Sequence, residues 1–201
     1  MHASPHVTAF AGPHKVAAGT LHTVAQTLKQ LVTRDPSAQI LVFDDDSGSQ
    51  MDLNLHGSLA DVLQRLPREA APTIDEPAAP PPARTAGRPK LGVVAREITL
   101  LPRHWEWLAT QPGGASVALR KLVEHAQRGN KAHDEQRQAR EAAYKFMSAL
   151  AGDARGFEEA SRALFAGKQP AFLACVQEWP ADVREHVLHL AQRGWSESEE
   201  R

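Results

Sequence analysis

The sequence predicts an α+β protein. A small ββαββα N-terminal domain leads into a Pro-rich linker. A mostly α-helical C-terminal half follows, opening with a short strand-helix-helix unit. Three observations predict this. Short β-prone runs alternate with helical patterns over residues 1–66. Prolines 67, 72, 77, 80, 81, 82 and 89 then crowd one segment. Beyond Pro102 the apolar residues recur at helical spacing almost to the end.

The elements follow in order. His6 to Gly12 (HVTAFAG) and Lys15 to Gly19 (KVAAG) read as two strands around a Gly12-Pro13 turn. Leu21 to Val32 is a helix with Leu21, Val24, Leu28, Leu31 and Val32 on one face and Thr20 as its N-cap. Asp35-Pro36 ends it, because the residue before proline is pushed out of the α region. Ile40 to Phe43 is an apolar strand, and Asp44 to Gly48 a hairpin turn. Met51 to Leu55 alternates apolar and polar residues, as a half-buried strand does. Ser58 caps a helix through Leu66, with Leu59, Val62, Leu63 and Leu66 inward.

Residues 67–90 mix proline with alanine and charge. Such a segment neither pairs nor packs, and reads as an extended linker. The central unit spans 91–128. Its β-prone run is Val93 to Leu101. Pro102 suits a helix start, since its φ is preset and its missing N–H costs nothing there. The helix Pro102 to Gln111 places Trp105 and Leu108 on a common, core side, and Gln111-Pro112-Gly113-Gly114 stops it. Ser116 then caps a second helix whose apolar stripe is Val117, Leu119, Leu122, Val123 and Ala126.

A helical region, 129–193, completes the fold. Asp134 to Leu150 buries Tyr144, Phe146, Met147 and Leu150. Phe157 to Phe165 turns Phe157, Ala160 and Leu164 inward. Pro170 to Glu178 carries Phe172, Leu173 and Val176. A last helix runs from Trp179-Pro180 through Gln192. Residues 194–201 are a polar tail, expected to be disordered.

Net charge is −1, but its distribution is uneven. Residues 1–83 carry net −4, residues 84–140 net +6, and residues 141–201 net −3. A basic segment between acidic ones is a candidate polyanion footprint. The single Cys175 excludes an internal disulfide and suits a reducing compartment. The first residues lack a basic start and an apolar core, so no signal peptide is expected. No apolar run approaches membrane-span length. These features predict a cytoplasmic protein without a membrane partner.

Few residues invite chemistry. Asp44, Asp45 and Asp46 offer oxygen ligands for a hard cation, yet the EF-hand spacing fails, and a solvated turn accounts for them. His186 and His189, three apart, read as surface histidines, as do His125 and His133. No Cys pair or H-E-x-x-H supports zinc. Cys175 reads as a buried structural thiol. Trp105 and Trp107 read as packing residues rather than a base-stacking platform. No nucleophile elbow, P-loop or dinucleotide fingerprint occurs. The expectation is no enzyme, no catalytic residue, no metal and no cofactor.

The central strand, helix, glycine turn and helix resemble the ribbon-helix-helix DNA-binding fold of the Arc and MetJ repressors. Gly114-Ala115-Ser116-Val117 is similar to the G-x-S-V turn of that superfamily. The resemblance implies a homodimer whose paired strands enter the major groove of double-stranded DNA. Glu97 and Thr99, with Ala95, would face the groove, and Ile98 and Leu100 the core. Glu97 accepts from cytosine N4 but is repelled by phosphate. Arg96 falls on the inward register. Gly114 and Ser116, at a helix N-terminus, would offer N–H groups to phosphate. Arg120 and Lys121 follow the helix start, and Arg88 and Lys90 precede the strand as a phosphate-reaching arm.

A longer resemblance covers nearly the whole chain. VTAFAG, ILVFDDDSGSQMDLNLHGS, the block from Gly87 through Ala126, AAYKFMSALAGDARGFEEASRALFAG and the WPADVREH segment resemble the bacterial family catalogued as domain of unknown function 2239. That family supplies no catalytic residues. The leading reading is therefore a DNA-binding transcriptional regulator. The alternative is a non-enzymatic protein-interaction module with no DNA binding.

Overall fold

The computed structural model describes residues 6–67, 94 and 96–195. The linker beyond Pro67, the arm residues Arg88 and Lys90, strand positions Val93 and Ala95, and the tail from 196 lie outside the described residues. The chain divides into two compact units: residues 1–70 with 131–201, and residues 71–130.

The first unit holds an antiparallel sheet of four strands in the order β2-β1-β3-β4. The strands are β1 (His6–Ala11), β2 (His14–Thr20), β3 (Ile40–Asp44) and β4 (Gln50–Met51). Helix α1 (Leu21–Arg34) follows β2 and is capped by Thr20, whose hydroxyl accepts from the Thr23 N–H at 3.3 Å. Helix α2 (Leu59–Arg65) starts with a full capping box between Ser58 and Asp61. The ββαββα order is as the sequence predicts. The fourth strand is shorter than the alternation of Met51 to Leu55 suggests. Leu53 and Leu55 still pack on the α1 side of the sheet without ladder pairing. Leu59 is exposed rather than inward.

Successive residues of a strand face opposite sides of its sheet. Val7 and Ala9 of β1 and Val42 of β3 pack on Leu21, Val24 and Leu28 of α1. Phe10 and Phe43 point the other way. They meet Phe146, with ring centroids 5.2 and 4.9 Å from it. Phe146 belongs to helix α4 (Gly114–Ala151). Helices α5 (Phe157–Phe165), α6 (Gln169–Val176) and α7 (Ala181–Ala191) add Leu164, Phe172, Val176, Val183 and Val187 to the same core. The first unit is thus helix, sheet and helices in three layers. The sequence separates 1–66 from 129–193; the structure gives them one core. The reason lies in β1, whose Val7, Thr8, Ala9 and Phe10 are all buried. One amphipathic helix covers only one face of such a strand.

Helix α4 runs through Arg128-Gly129, where the sequence suggests an end. A single glycine costs a helix only about 1 kcal/mol. The surrounding Ala, Arg, Gln and Glu favour helix, and Arg137 bridges to Asp134 at 3.3 Å and Glu141 at 3.0 Å. Arg140 Nε donates to the Gly194 carbonyl at 2.7 Å, tying the chain's last described turn to α4. Tyr144 and Leu173 are exposed, not buried as their helical patterns suggest. Tyr144 instead lies beside Phe165, its ring 5.3 Å away.

The second unit contains helix α3 (Pro102–Ala109), with Pro102 in its first turn as expected, and the first part of α4. Residues 94 and 96–101 belong to no strand. A strand needs a ladder partner for its N–H and C=O groups, and within this chain that segment has none among the described residues. Leu108 and Ala118 are the buried apolar residues described here. Trp105, expected in a core, is 42% exposed, and Trp107 50%.

Candidate functional site

The residues that converge on a cleft lie in the first unit. Asp45 begins the turn after β3. Its backbone N–H donates to the His6 carbonyl at 2.9 Å, and its Oδ2 accepts from the Thr8 hydroxyl at 3.1 Å. Thr8 is buried on the same sheet face as Phe10, so the sheet itself holds the carboxylate. Asp44 closes the turn, because its Oδ1 accepts from both the N–H and the hydroxyl of Ser47. Asp46 is exposed. The three adjacent aspartates therefore do not converge as a cation site.

Opposite Asp45 stands His186 of α7, only 5% exposed. Its ring packs against both Phe10 and Phe146, at centroid distances of 5.4 and 4.5 Å. His186 Nε2 is 3.6 Å from Asp45 Oδ1. Both atoms are sealed from solvent, and neither has a hydrogen-bond partner among the described residues. Burial pushes the His186 pKa down to about 4, aided by His189 and Lys15. Burial likewise raises the Asp45 carboxyl, against the Thr8 hydrogen bond and the neighbouring His189 and His6. At neutral pH the imidazole is uncharged.

A cleft of about 510 Å³ opens beside the pair, lined by Thr8, Lys15, Asp45, His186 and His189 among others. Lys15 is held on α7 twice. Its backbone N–H donates to Asp182 at 2.9 Å, and its Nζ to Glu185 at 3.3 Å. A second cleft of about 340 Å³ shares Asp45, His189 and Gln192 and adds Asp46, Glu135 and Arg193. Among the described residues no three His, Cys, Asp or Glu side chains group to hold a metal ion.

The structure corrects the reading of His186 as a surface residue. The sequence does hold its signal: Val183, His186, Val187 and Leu190 share one helical stripe, and all are buried. A histidine inside an apolar stripe is a core residue. Its partner Asp45 could be found only through the fold. Cys175 is half-buried against the main core.

The residues proposed from sequence lie in the second unit, apart from Arg88 and Lys90, which are outside the described residues. Gly114, with φ +75°, is the first residue of α4, preceded by Gly113 at φ +85°. Only glycine takes such angles readily, which explains the pair. Ser116 lies within the first turn of α4 rather than before it, and its carbonyl accepts from Arg120 Nε at 3.2 Å. Gly114, Ser116, Arg120 and Lys121 thus share the first two turns of one helix, and each stays at least partly open to solvent. Glu97 and Thr99 are exposed in the segment without a strand.

A family model described as an uncharacterised protein conserved in bacteria, domain of unknown function 2239, matches residues 6–191. No curated protein and no solved structure matches the chain. No helix among the described residues is long and apolar enough to cross a membrane.

Proposed function

The chain belongs to this family of uncharacterised proteins conserved in bacteria, and from that premise we propose that it is a homodimeric, double-stranded-DNA-binding transcriptional regulator acting through its central unit. One observation supports the reading above others. The central unit exposes its apolar side chains and its unpaired cations together. Ile98, Leu101, Trp105, Trp107, Leu122 and Val123 are exposed. A strand-helix-helix protomer keeps such residues for a second copy. Each large apolar side chain taken fully from water contributes roughly 1.5–3 kcal/mol. The strand-prone segment at 96–101 would gain its ladder partner from the same segment of that copy.

The cations fit the second half of the reading. Among the described residues no carboxylate pairs with Arg96, Arg103, Arg120, Lys121 or Arg128. Arg120 and Lys121 follow the start of α4, whose N-terminal N–H groups and dipole also favour an anion. Lys and Arg that neutralise phosphates release counterions, so binding falls steeply with salt. The proposal includes no enzymatic step. The test is duplex-DNA binding by fluorescence anisotropy across a salt series, with mass measured by sedimentation. A dimer whose log affinity falls linearly with log salt is expected. A monomer without DNA affinity at about 50 mM salt removes the proposal and leaves a protein-interaction module.

A further inference from the structure

We propose that α4 carries a hinge at Gly129-Asn130, where the helix opens locally while both of its ends stay packed. Four features of α4 converge on this pair. The first is exposure. Ala118, near the start of α4, is buried, and so are Ala139, Ala142, Ala143 and Phe146 farther along. Between these anchors every residue from Lys121 to His133 is exposed. This stretch rests on its own backbone hydrogen bonds, and a helix of such length without a packed face is marginal in water.

The second feature is composition. Gly129 is among the weakest helix formers, and Asn130 ranks below the Ala, Gln, Arg and Lys around it. The third is that nothing in the chain requires a glycine there. Gly129 lies inside α4 without a positive φ. A Cβ built on it would meet no other part of the chain within 4 Å. Alanine would fit, so what glycine adds at this position is backbone freedom.

The fourth is the placing of the ion pairs. Among the described residues those within α4 are Lys131–Glu135 at 3.9 Å, Arg137–Asp134 at 3.3 Å and Arg137–Glu141 at 3.0 Å. All lie beyond Asn130, so none spans the weak pair. The division of the chain into its two compact units falls at the same point, between Asn130 and Lys131. Opening there breaks few contacts and disturbs neither core. Segments of that kind form the low-stability end of a protein, and a few residues suffice to absorb the angle changes of a hinge. The hinge belongs to α4 alone and does not depend on DNA binding by the central unit.

The experiment follows amide hydrogen exchange of the full-length protein by mass spectrometry. Residues 126–133 should exchange roughly a hundredfold faster than residues 139–147. The double variant Gly129→Ala/Asn130→Ala should slow exchange of 126–133 roughly tenfold and leave 139–147 unchanged. Ala132→Gly, at an exposed position, should do the reverse and speed exchange of 126–133 roughly fivefold. Protection of 126–133 equal to that of 139–147 overturns the proposal, and would place another molecule over this stretch. Exchange of 126–133 that neither variant alters also overturns it, since the opening would then be set elsewhere in α4.

Discussion

His186 Nε2 and Asp45 Oδ1 face each other across 3.6 Å inside the first unit. Through them the last helix meets the turn after β3. The contact is polar, buried and unsatisfied, and it adjoins an aromatic cluster of Phe10, Phe43 and Phe146. An unpaired buried polar group costs about 1–3 kcal/mol. The surrounding core carries that cost, and the pair's titration becomes a stability term.

The sign of that term follows from direction. His186 drops from 6.5 to about 4 on folding, so the unfolded chain binds its proton more tightly. Its contribution is present above pH 6.5 and is lost as pH falls toward 4. The fall corresponds to roughly 3 kcal/mol. Asp45, raised by burial, acts in the opposite sense: its contribution is present at low pH and fades as pH rises through its folded value. Urea unfolding at steps between pH 7 and 4.5 should show stability decreasing. His186→Phe should flatten that slope, and an unchanged slope in the variant would assign the titration elsewhere.

Gly48 limits how the turn meets α4. Its φ is +64°, and a Cβ there would overlap the Ala142 carbonyl. The obstacle is helix backbone, which cannot swing aside. Gly48→Ala should cost roughly 2–4 kcal/mol, strain and overlap together. Gly12 has φ +56° but open space around a Cβ. Gly12→Ala should cost only about 1 kcal/mol. Equal thermal shifts for the two would mean that the turn does not press on α4.

Much of the fold is legible in the sequence. The β1 and β2 runs, the Thr20 and Ser58 caps, Pro102 at a helix start and the glycine break before α4 rest on local chemistry, which a sequence displays. The rest depends on partners distant in the chain. Phe10 and Phe146 are far apart in sequence, and only the sheet's second face shows that they share a core. His186 is legible from the apolar stripe of Val183, Val187 and Leu190 that it shares, whereas its partner Asp45 depends on the fold. Trp105 shows the reverse case: helical spacing marks a face, yet says nothing about whether this chain or another molecule covers it.

The two cores should answer truncation differently. Phe146→Ala removes a fully buried ring and should destabilise the first unit by about 3–5 kcal/mol. Leu122→Ala truncates a side chain that is 47% exposed and should change the stability of an isolated chain by less than about 1 kcal/mol. If a second copy covers Leu122, dilution should expose the difference. The parent's Tm would then fall on dilution while the variant's stays low throughout.

The DNA reading makes the sharpest set of separate demands. Arg120→Ala and Lys121→Ala should each weaken binding to all duplexes about equally and reduce the salt slope by about one. Arg88→Ala and Lys90→Ala should do the same if the segment before the helices reaches phosphate. Thr99→Ala should instead alter sequence preference, since a base contact is worth about 1–3 kcal/mol. Glu97→Ala removes a negative charge from beside the phosphates and should strengthen non-specific binding. Trp105→Ala should act through association: it removes apolar surface that the single chain leaves 42% exposed, so it should lower dimer affinity and DNA affinity together. Anisotropy and sedimentation on the same samples distinguish these effects. Loss of DNA affinity in the Trp105 variant with an intact dimer would place that tryptophan on the nucleic acid rather than between protomers.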